Sequence, residues 1–417
     1  MTPVRFFDAV KDAPIDQIMG LDQSFRDDPS PQKYNLVVGV FQDEHGRTPI
    51  LASVKAAERR LLVDEESKSY LPMLGEEAYR RSVIDLVLGS DSEIVRDRRV
   101  AALHTPGGTA ALRIAADFLK DHFPSATLWL SSPFYPNHPG IFESVGFPIE
   151  HYRYYDVASG RLQFDDTMAD LGRARPGDVV LLHGCCHNPS GADLSASQWT
   201  VLARHMSERG LLPVVDAAYI GFAHGIDEDA AQLRRFFDTV PEGLLLTSFS
   251  KNFALYSERA GAVLFISATA AAASRSAERA KLYVRRLYSS PPSHGGRIIS
   301  TILNDAELKR LWLTEVTAMR DRLRALRLRF AEGLAVHQVD PGFFPAIDRG
   351  VGMFALSRLT PEHVQALREN HHVYMLDNGR ISIAGLREAT VEMLCSILAA
   401  VLRHSAVAIG RAHHGAR

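Results

Sequence analysis

The chain has few cysteines for its length, and this shortage limits how the fold can be stabilised. Only three cysteines occur among 417 residues, and two of them, Cys185 and Cys186, are adjacent. Because adjacent cysteines do not supply spaced pairs, a structural disulfide framework is excluded as the basis of the fold. Unpaired thiols are typical of a reducing compartment, so the sequence predicts a cytoplasmic protein.

The sequence also lacks a large excess of charge of either sign and any long apolar run. The formal net charge is −2, which gives no electrostatic basis for binding nucleic acid or an anionic membrane. No stretch reaches the ~18 apolar residues that span a bilayer, and residues 1–10 mix acidic and basic side chains where an export signal needs an apolar core. We therefore expect no nucleic-acid or membrane partner and a small-molecule ligand.

The sequence does contain short apolar runs, and their arrangement indicates an α/β fold. Buried strands are predicted at residues 126–132, 178–183, 212–216, 244–248 and 261–266, with amphipathic runs such as residues 195–210 between most of them. Buried strands separated by helices are typical of a mostly parallel central sheet flanked by helices. In such a sheet we expect the ligand beyond the carboxyl ends of the strands.

The end of the chain has a different pattern, which predicts a second domain. Residues 305–336 are predicted to form one long helix, followed by short strands and helices of α+β type. At 417 residues the chain exceeds the usual size of one domain. We predict a large domain over residues 47–312, a smaller α+β domain from residues 1–46 and 313–402, and a frayed extension over residues 403–417.

Lys251 is the most informative residue, because it follows an apolar strand and lies between hydroxyl side chains. A lysine amine can anchor an aldehyde cofactor as a Schiff base and then move protons. With Arg259 close in sequence as a counter-charge for a phosphate, this pattern favours pyridoxal 5′-phosphate. A solvated lysine at a strand-to-helix turn is the alternative interpretation.

Other predicted strand ends carry residues that the same cofactor needs. Asp216 ends an apolar strand, where a pyridinium nitrogen would compensate its burial, and Tyr219 could donate to the phenolic oxygen. A structural ion pair for Asp216 and a core position for Tyr219 remain alternatives. Glycines that open a helix let backbone amides approach a phosphate. The predicted phosphate site consists of Gly107, Gly108, Thr109, Ser248, Ser250 and Arg259, although Arg259 could instead pair with Glu258.

The run from His183 to Gly191 contains two histidines and two cysteines and ends another predicted strand. Because no second ligand cluster at zinc-site spacing follows, we predict no metal there. Asn188, before a proline in the strand-end turn, is better placed to bind a ring substituent. His138 and His183 are candidates for orienting Asp216, with a role in the core as the alternative.

Taken together, these runs resemble the fold-type-I pyridoxal-phosphate aminotransferases, specifically the aspartate and aromatic amino-acid aminotransferase group. The resemblance extends from Phe7, through residues 13–21, to about Leu402. It implies that Lys251 forms the Schiff base and moves the proton, that Asp216 pairs with the ring nitrogen, and that Asn188 and Tyr219 bind the phenolic oxygen. It also implies that Tyr135 stacks on the cofactor ring.

The resemblance also implies substrate contacts and a homodimer. Tyr70 matches a tyrosine that reaches the phosphate of the neighbouring subunit, so shared active sites are expected. Arg380 matches the arginine that binds the substrate α-carboxylate, and Arg285 matches one that binds a distal carboxylate across the dimer interface. The implied substrate-binding residues are Gly39, Tyr135, Asn188, Arg285 and Arg380.

Several positions depart from the pattern of this group and alter the predicted substrate wall. Tyr135 stands where aspartate-type members usually carry tryptophan, and Arg286 replaces a small residue. Ser69 and Leu287 stand where asparagine is common. These changes leave the predicted cofactor residues intact, but they leave open which amino donor is preferred and whether Arg285 or Arg286 faces the substrate.

We therefore predict an aminotransferase that transfers an amino group from aspartate or an aromatic amino acid to 2-oxoglutarate in ping-pong half-reactions. The first alternative is a related enzyme with other chemistry at Cα or the side chain, motivated by Tyr135 and Arg286. The second is a non-catalytic ligand sensor, which the full set of catalytic residue types and the absence of a basic patch disfavour.

Overall fold

The structure of the chain is a computed structural model that describes residues 6–11 and 17–414. Residues 13–16, which belong to the predicted family resemblance, lie outside the described residues, as do residues 415–417 of the predicted extension. Within the described ranges, no helix is long and apolar enough to cross a membrane.

The strands form one large sheet and three small ones. Seven strands pair in the order β2-β10-β9-β8-β7-β3-β4, and the remaining strands pair as β1-β12, β11-β13 and β5-β6. The strands are β1 (Tyr34–Asn35), β2 (Val100–Pro106), β3 (Leu128–Ser132), β4 (Ile149–Arg153), β5 (Tyr155–Asp156), β6 (Arg161–Leu162), β7 (Val179–His183), β8 (Leu212–Ala217), β9 (Gly243–Ser248), β10 (Ala260–Ile266), β11 (Phe354–Leu356), β12 (Val373–Tyr374) and β13 (Arg380–Ser382).

The large sheet is mostly parallel, which confirms the predicted fold class. Strands β4, β3, β7, β8 and β9 pair in parallel, whereas β10 runs antiparallel to both β2 and β9. Alternate residues of one strand enter different hydrophobic clusters, with Val179 and Leu181 on one face and Val180 and Leu182 on the other. Burial on both faces is the reason why these strands read as continuous apolar runs.

Helices cover both faces of the sheet. They are α1 (Gln17–Asp27), α2 (Ala52–Asp64), α3 (Glu77–Leu88), α4 (Glu93–Arg96), α5 (Gly107–His122), α6 (Asn137–Glu143), α7 (Phe164–Leu171), α8 (Ala196–Arg209), α9 (Ile226–Thr239), α10 (Ala270–Leu287), α11 (Ser293–Asn304), α12 (Ala306–Val336), α13 (Pro361–His371) and α14 (Glu388–His414), with 3-10 helices at Phe6–Ala9, Pro341–Phe343 and Ile383–Gly385. Helix α8 shows how the sequence sets such bounds, because Ser195 and Gln198 form a capping box at its start.

The two ends of the chain meet outside the large sheet. Strand β1 pairs in parallel with β12, and β11 pairs antiparallel with β13. Helix α12 has 31 residues and matches the predicted long helix. Helix α14 continues to His414, through most of the segment predicted to fray. The domain boundaries and the frayed end stay predictions.

One edge of the large sheet collects the chemically informative residues. Strands β2, β3, β7, β8 and β9 all end there, because they run in the same direction. Strand β10 runs the opposite way and therefore begins at this edge, directly after Arg259. The fold thus brings residues that are distant in sequence to a common place, as expected for a ligand site in an α/β sheet.

Candidate active site

Asp216, near the end of β8, has a direct histidine partner. His138 Nε2, from α6, lies 3.0 Å from Asp216 Oδ2, and the histidine is buried. Burial alone would raise the pKa of the Asp216 carboxyl, but the hydrogen bond and charge of His138 outweigh it, so the pKa is lower than usual. The arrangement therefore favours a carboxylate that is ionised and fixed in orientation.

A stack of histidines extends from Asp216 into the protein. The His183 ring centroid lies 5.2 Å from that of His138 and 4.5 Å from that of His187. His187 is held at both ring nitrogens, by Ser190 Oγ at 2.7 Å and Ser131 Oγ at 3.0 Å. His183 does not bond Asp216 itself, and its buried Nε2 has no hydrogen-bond partner. Burial lowers the pKa of His183 to about 3, so this ring is neutral.

Tyr219 and Asn188 flank the same strand end. Tyr219 follows β8 and is buried, which raises the pKa of its hydroxyl, so this group is a donor at neutral pH. Asn188 is also buried, and its Oδ1 accepts a hydrogen bond of 3.4 Å from Arg380 Nη1. The structure therefore brings together two of the residues predicted to bind the cofactor and the substrate.

Lys251 lies in the turn after β9 and has an unusual electrostatic environment. Burial is the largest cause that lowers the pKa of its amine to about 8, and the charges of Arg259 and Arg380 add to it. Asp216 acts in the opposite direction. The ammonium lies 5.0 Å from the centroid of the Tyr256 ring. About a fifth of this amine is therefore neutral near physiological pH, far more than in an ordinary lysine, and a nucleophile or a general base requires this form.

Two glycines and two serines form an anion cradle at the start of α5. Gly107 has φ +78°, and a Cβ atom there would lie 2.5 Å from Arg259 Nη2. A Cβ atom at Gly108 would lie 3.1 Å from Ser248 Cβ. Glycine at both positions keeps a space open between the helix N-terminus and these side chains, and that space suits a phosphate. Thr109 lies exposed in the first turn of the same helix.

Arg259 completes this cradle. Its Nη1 donates to Ser250 Oγ at 3.4 Å and to the carbonyl of Tyr256 at 3.1 Å. Ser250 Oγ in turn lies 3.3 Å from Ser248 Oγ. No ion pair joins Arg259 to Glu258 in the part of the chain that the structure describes. Its charge therefore remains free to compensate an anion, in contrast to the alternative that the sequence left open.

Arg380 carries a second charge that no carboxylate compensates. The side chain is 2% exposed, and Nη2 donates to the carbonyl of Val37 at 2.5 Å. Its Nε is buried without a partner, and no ion pair involves this arginine among the described residues. Burial lowers the pKa of the guanidinium to about 10, so it stays protonated. A carboxylate ligand would supply both the missing acceptor and the missing charge.

Several residues of the site were missed by the sequence reasoning. The Phe354 ring packs 4.3 Å from the Arg380 guanidinium carbon and also contacts Tyr219. A Cβ atom at Gly39 would overlap the Phe354 ring, which explains why glycine suits that position. Tyr256 contacts Lys251 and accepts a 2.8 Å hydrogen bond from the amide of Phe41. The only sequence signal was that Tyr256 lies within the run that carries the family resemblance.

A further group of predicted residues lies on the surface of the single chain. The Tyr70 side chain is 94% exposed, and Arg285 and Arg286 are exposed at the end of α10. Arg285 Nη1 donates to Ser289 Oγ at 2.7 Å. Within the described residues, no hydrogen bond or ion pair joins Tyr70, Arg285 or Arg286 to the strand-end residues. Tyr135 lies closer to the site, with its ring edge-on to that of His138 at 5.1 Å.

The cysteine and histidine run after β7 does not form a metal site. Cys185 and Cys186 are buried free thiols, and Cys186 N donates to the Asp193 carboxylate at 2.7 Å. Across residues 6–11 and 17–414, no group of three or more histidine, cysteine or acidic side chains is arranged to hold a metal ion. The chemical features at the strand ends are instead an amine, a carboxylate and two uncompensated arginines.

Comparison with known proteins gives consistent matches. The chain matches the family model for aminotransferase class I and II over residues 31–398. It is 42% identical to the aspartate aminotransferase of Haemophilus influenzae over 396 residues, which cover 95% of this chain and 100% of that protein. It is 40% identical to the aromatic-amino-acid aminotransferase of Pseudomonas aeruginosa over 395 residues, which cover 95% of this chain and 98% of that protein.

A solved structure matches the fold over the same length. The aromatic-amino-acid aminotransferase of Burkholderia pseudomallei, determined covalently bound to pyridoxal phosphate, superposes with a TM-score of 0.91 and 39% identity. The match covers 96% of this chain and 100% of that chain. The match to the family model, over residues 31–398, includes every strand end described above and the exposed arginines of α10.

Proposed function

Because the chain belongs to the class I and II aminotransferase family, in its aspartate and aromatic amino-acid group, we propose that it transfers amino groups from aspartate or an aromatic amino acid to 2-oxoglutarate. We further propose that pyridoxal 5′-phosphate is its cofactor. The full-length identity supports the predicted family resemblance, and the geometry at the strand ends supports the predicted chemistry.

The residues present fit this cofactor. In the cradle of Gly107, Gly108, Ser248, Ser250 and Arg259, a Cβ atom at Gly107 would overlap Arg259 and one at Gly108 would crowd Ser248, so glycine at both positions lets these donors approach the helix N-terminus, where a phosphate would bind. Lys251 supplies an amine with a pKa of about 8, and no carboxylate pairs with it in the described residues. When bound, pyridoxal phosphate supplies an aldehyde that reacts with amines and a ring that withdraws electrons from Cα of the substrate.

Asp216 and His138 have the positions needed to control the charge on that ring. The carboxylate is held ionised by the histidine, so it stabilises a protonated ring nitrogen beside it. The neutral His183 ring packs behind His138 and excludes water from this side of the carboxylate. We propose that the pair keeps the ring in its electron-withdrawing form throughout the reaction.

Arg380 and Lys251 handle the substrate. The Arg380 guanidinium, fixed by the Val37 carbonyl, Asn188 and the Phe354 ring, binds the α-carboxylate. The neutral Lys251 amine would take the proton from Cα of the bound amino acid and return it to the carbon on the other side of the amino nitrogen, two bonds from Cα. Moving the proton through one amine at a fixed place avoids exchange with solvent and supplies general acid and base in turn.

The exposed residues support a homodimer with shared active sites. Within the described residues, no hydrogen bond or ion pair joins Tyr70 or Arg285 to the strand-end residues of their own chain. By the family resemblance, each matches a residue that acts across a dimer interface. We propose that a second copy of the chain brings them into the site. Tyr70 then binds the phosphate, and Arg285 binds the distal carboxylate of a dicarboxylic substrate.

We also propose a two-domain organisation and a cytoplasmic location. The pairing of β1 with β12, which joins both chain ends, supports a small domain formed from residues 1–46 and 313–402. The free thiols of Cys185, Cys186 and Cys395 support a reducing compartment. Fractionation of cells that express the full chain, followed by detection of the protein in the cytosol, tests the location.

The observation that carries the proposed function is the position of Lys251 and Asp216 at the same edge of the sheet, with Asp216 held by His138. The test incubates the holoenzyme with aspartate, tyrosine or phenylalanine and 2-oxoglutarate, and measures glutamate. Without 2-oxoglutarate, an aminotransferase releases one equivalent of 2-oxo acid per chain and stops. Continued formation of ammonia would instead identify an elimination or an oxidation, and no glutamate from any of the three donors would refute the proposal.

A further inference from the structure

A second cluster of basic residues lies on α12, away from Lys251. Arg320, Arg324 and Arg327 are spaced by four and three residues, so their side chains share one face of the helix. Arg349, in the loop before β11, faces them. These four arginines, which we call the arginine pocket, line one cavity of about 470 Å³. This volume lies within the range of small-ligand sites.

The arginine pocket has more positive than negative charge. Its carboxylates are Asp321, which pairs with Arg320 at 2.9 Å, and Asp348, which lies 3.8 Å from Arg349. Neither Arg324 nor Arg327 forms an ion pair with a carboxylate in the described part of the chain. Like charges one helical turn apart repel each other, so this face of α12 carries an electrostatic cost that the Arg320–Asp321 pair offsets only in part.

Arg327, at the base of the pocket, is the least compensated of the four. Its side chain is 2% exposed, and its nitrogens donate to the carbonyls of Ile347, Val351 and Gly352 at 3.0–3.3 Å. Its Nε is buried without an acceptor. Burial lowers the pKa of Arg327 to about 10, and the charge of Asp193 opposes this shift without cancelling it, so the guanidinium is only partly compensated. A bound anion would add to this compensation.

We propose that the arginine pocket binds a compact dianion, the chemistry shared by inorganic phosphate and short dicarboxylates. Arg324 and Arg349 are exposed and supply planar pairs of donors that suit oxyanions, and Arg327 supplies charge beneath them. The backbone that Arg327 holds leads directly into Phe354, the residue packed against Arg380. An anion in the pocket therefore stabilises the segment that supports the substrate arginine.

The test titrates the holoenzyme with inorganic phosphate in a calorimeter, at low ionic strength and in a phosphate-free buffer. We expect one site per chain, and Arg324→Gln or Arg349→Gln should each weaken binding about tenfold, as expected for a lost hydrogen bond to a charged group. Arg310→Gln, an exposed arginine on the same helix outside the pocket, is the matched control and should leave binding unchanged. Phosphate at ten times its Kd should also raise the Tm of wild type by about 1–3 °C, but not that of the variant that combines Arg324→Gln with Arg349→Gln.

Arg380→Lys separates this pocket from the substrate site. Phosphate binding that survives Arg380→Lys and weakens in Arg324→Gln supports the proposal. Binding that follows the opposite pattern, binding unaffected by either pocket variant, or no saturable binding to wild type overturns it. Titrating Arg380→Lys with succinate then distinguishes the sources, because tighter binding than phosphate assigns the pocket to a dicarboxylate and weaker binding assigns it to a phosphate.

Discussion

The strand-end residues and the α10 terminus, both predicted to contact the same ligands, differ in how completely one chain organises them. Asp216, Asn188 and Arg380 are each held by hydrogen bonds from other parts of their own chain. Arg285 and Arg286 are exposed, and within the described residues the Arg285 side chain bonds only to Ser289, four residues further on. The comparison indicates that one chain positions the proposed catalytic residues by itself, whereas in the homodimer that we propose the selection of the substrate side chain depends on a second copy.

Replacing Lys251 gives the largest expected effect and tests the self-contained region. In Lys251→Ala the amine that anchors the cofactor and moves the proton is absent. We expect kcat for amino transfer to fall by at least ~10⁴-fold, beyond the ~10²–10⁴ typical of a general base, because the anchor is lost too. Steady-state assays of glutamate formation measure this. Lys281→Ala, on the surface of α10, is the control, and wild-type activity in Lys251→Ala would contradict the role.

Asp216→Asn tests whether charge or only shape matters at the end of β8. The amide keeps the size of the side chain and a contact with His138, but it cannot stabilise a protonated ring nitrogen. We expect kcat to fall by ~10²–10³-fold, the range for loss of one preorganised electrostatic group, while the cofactor stays bound. Cofactor content and kcat should be measured on the same sample. A variant with normal kcat would show that the negative charge of Asp216 is not needed for amino transfer.

Two neighbouring variants sharpen the comparison at the exposed region. Arg285→Gln should lower kcat/KM for aspartate by ~10–100-fold, since a charge-assisted hydrogen bond is lost, and should change kcat/KM for phenylalanine less than threefold. Arg286→Gln should change both less than threefold if Arg285 is the residue that faces the substrate. The reverse pattern would assign the distal carboxylate to Arg286. Equal losses for both donors would mean that neither arginine selects the side chain.

The smallest expected effect is the pH dependence of cofactor attachment, which follows from the lowered pKa of Lys251. Only the neutral amine attacks an aldehyde, and the lowered pKa of about 8 makes this form dominant above pH 8. We expect the rate of covalent cofactor attachment to the apoprotein to rise about tenfold from pH 7 to pH 9 and then level off. Stopped-flow absorbance measures the rate. A rate that still rises steeply above pH 9.5 would mean that the amine has an ordinary pKa.

Much of the fold and the site could be predicted because burial and strand direction leave clear signals. Strands buried on both faces read as apolar runs, and polar residues that end such runs, such as Asp216 and Ser248, must meet at one edge of a parallel sheet. Contacts that depend on the third dimension left no such signal. Phe354 lies in the region for which the sequence predicts short strands and helices, and nothing in the sequence showed that its ring would lie against Arg380.

Hydrogen bonds to backbone atoms also could not be predicted from the sequence. The carbonyl of Val37 fixes Arg380, but a carbonyl is present at every residue, so no residue type marks it. The exposed fraction of Arg285 and Arg286 likewise depends on how α10 ends. Two adjacent arginines give no sequence signal that shows which of them faces the substrate. Sequence patterns therefore located the chemistry better than the groups that hold it in place.

The reversed direction of β10 determines how much change the connection between β9 and β10 can accept. Residues 249–259 form a hairpin that starts and ends at the same sheet edge, and the hairpin carries Lys251 near one end and Arg259 at the other. An inserted residue within it would change the distance between the Lys251 amine and the Arg259 guanidinium, or would shift the pairing of β9 with β10. We therefore expect evolution and protein engineering alike to alter the length of this hairpin last, and to vary the surface loops around it first.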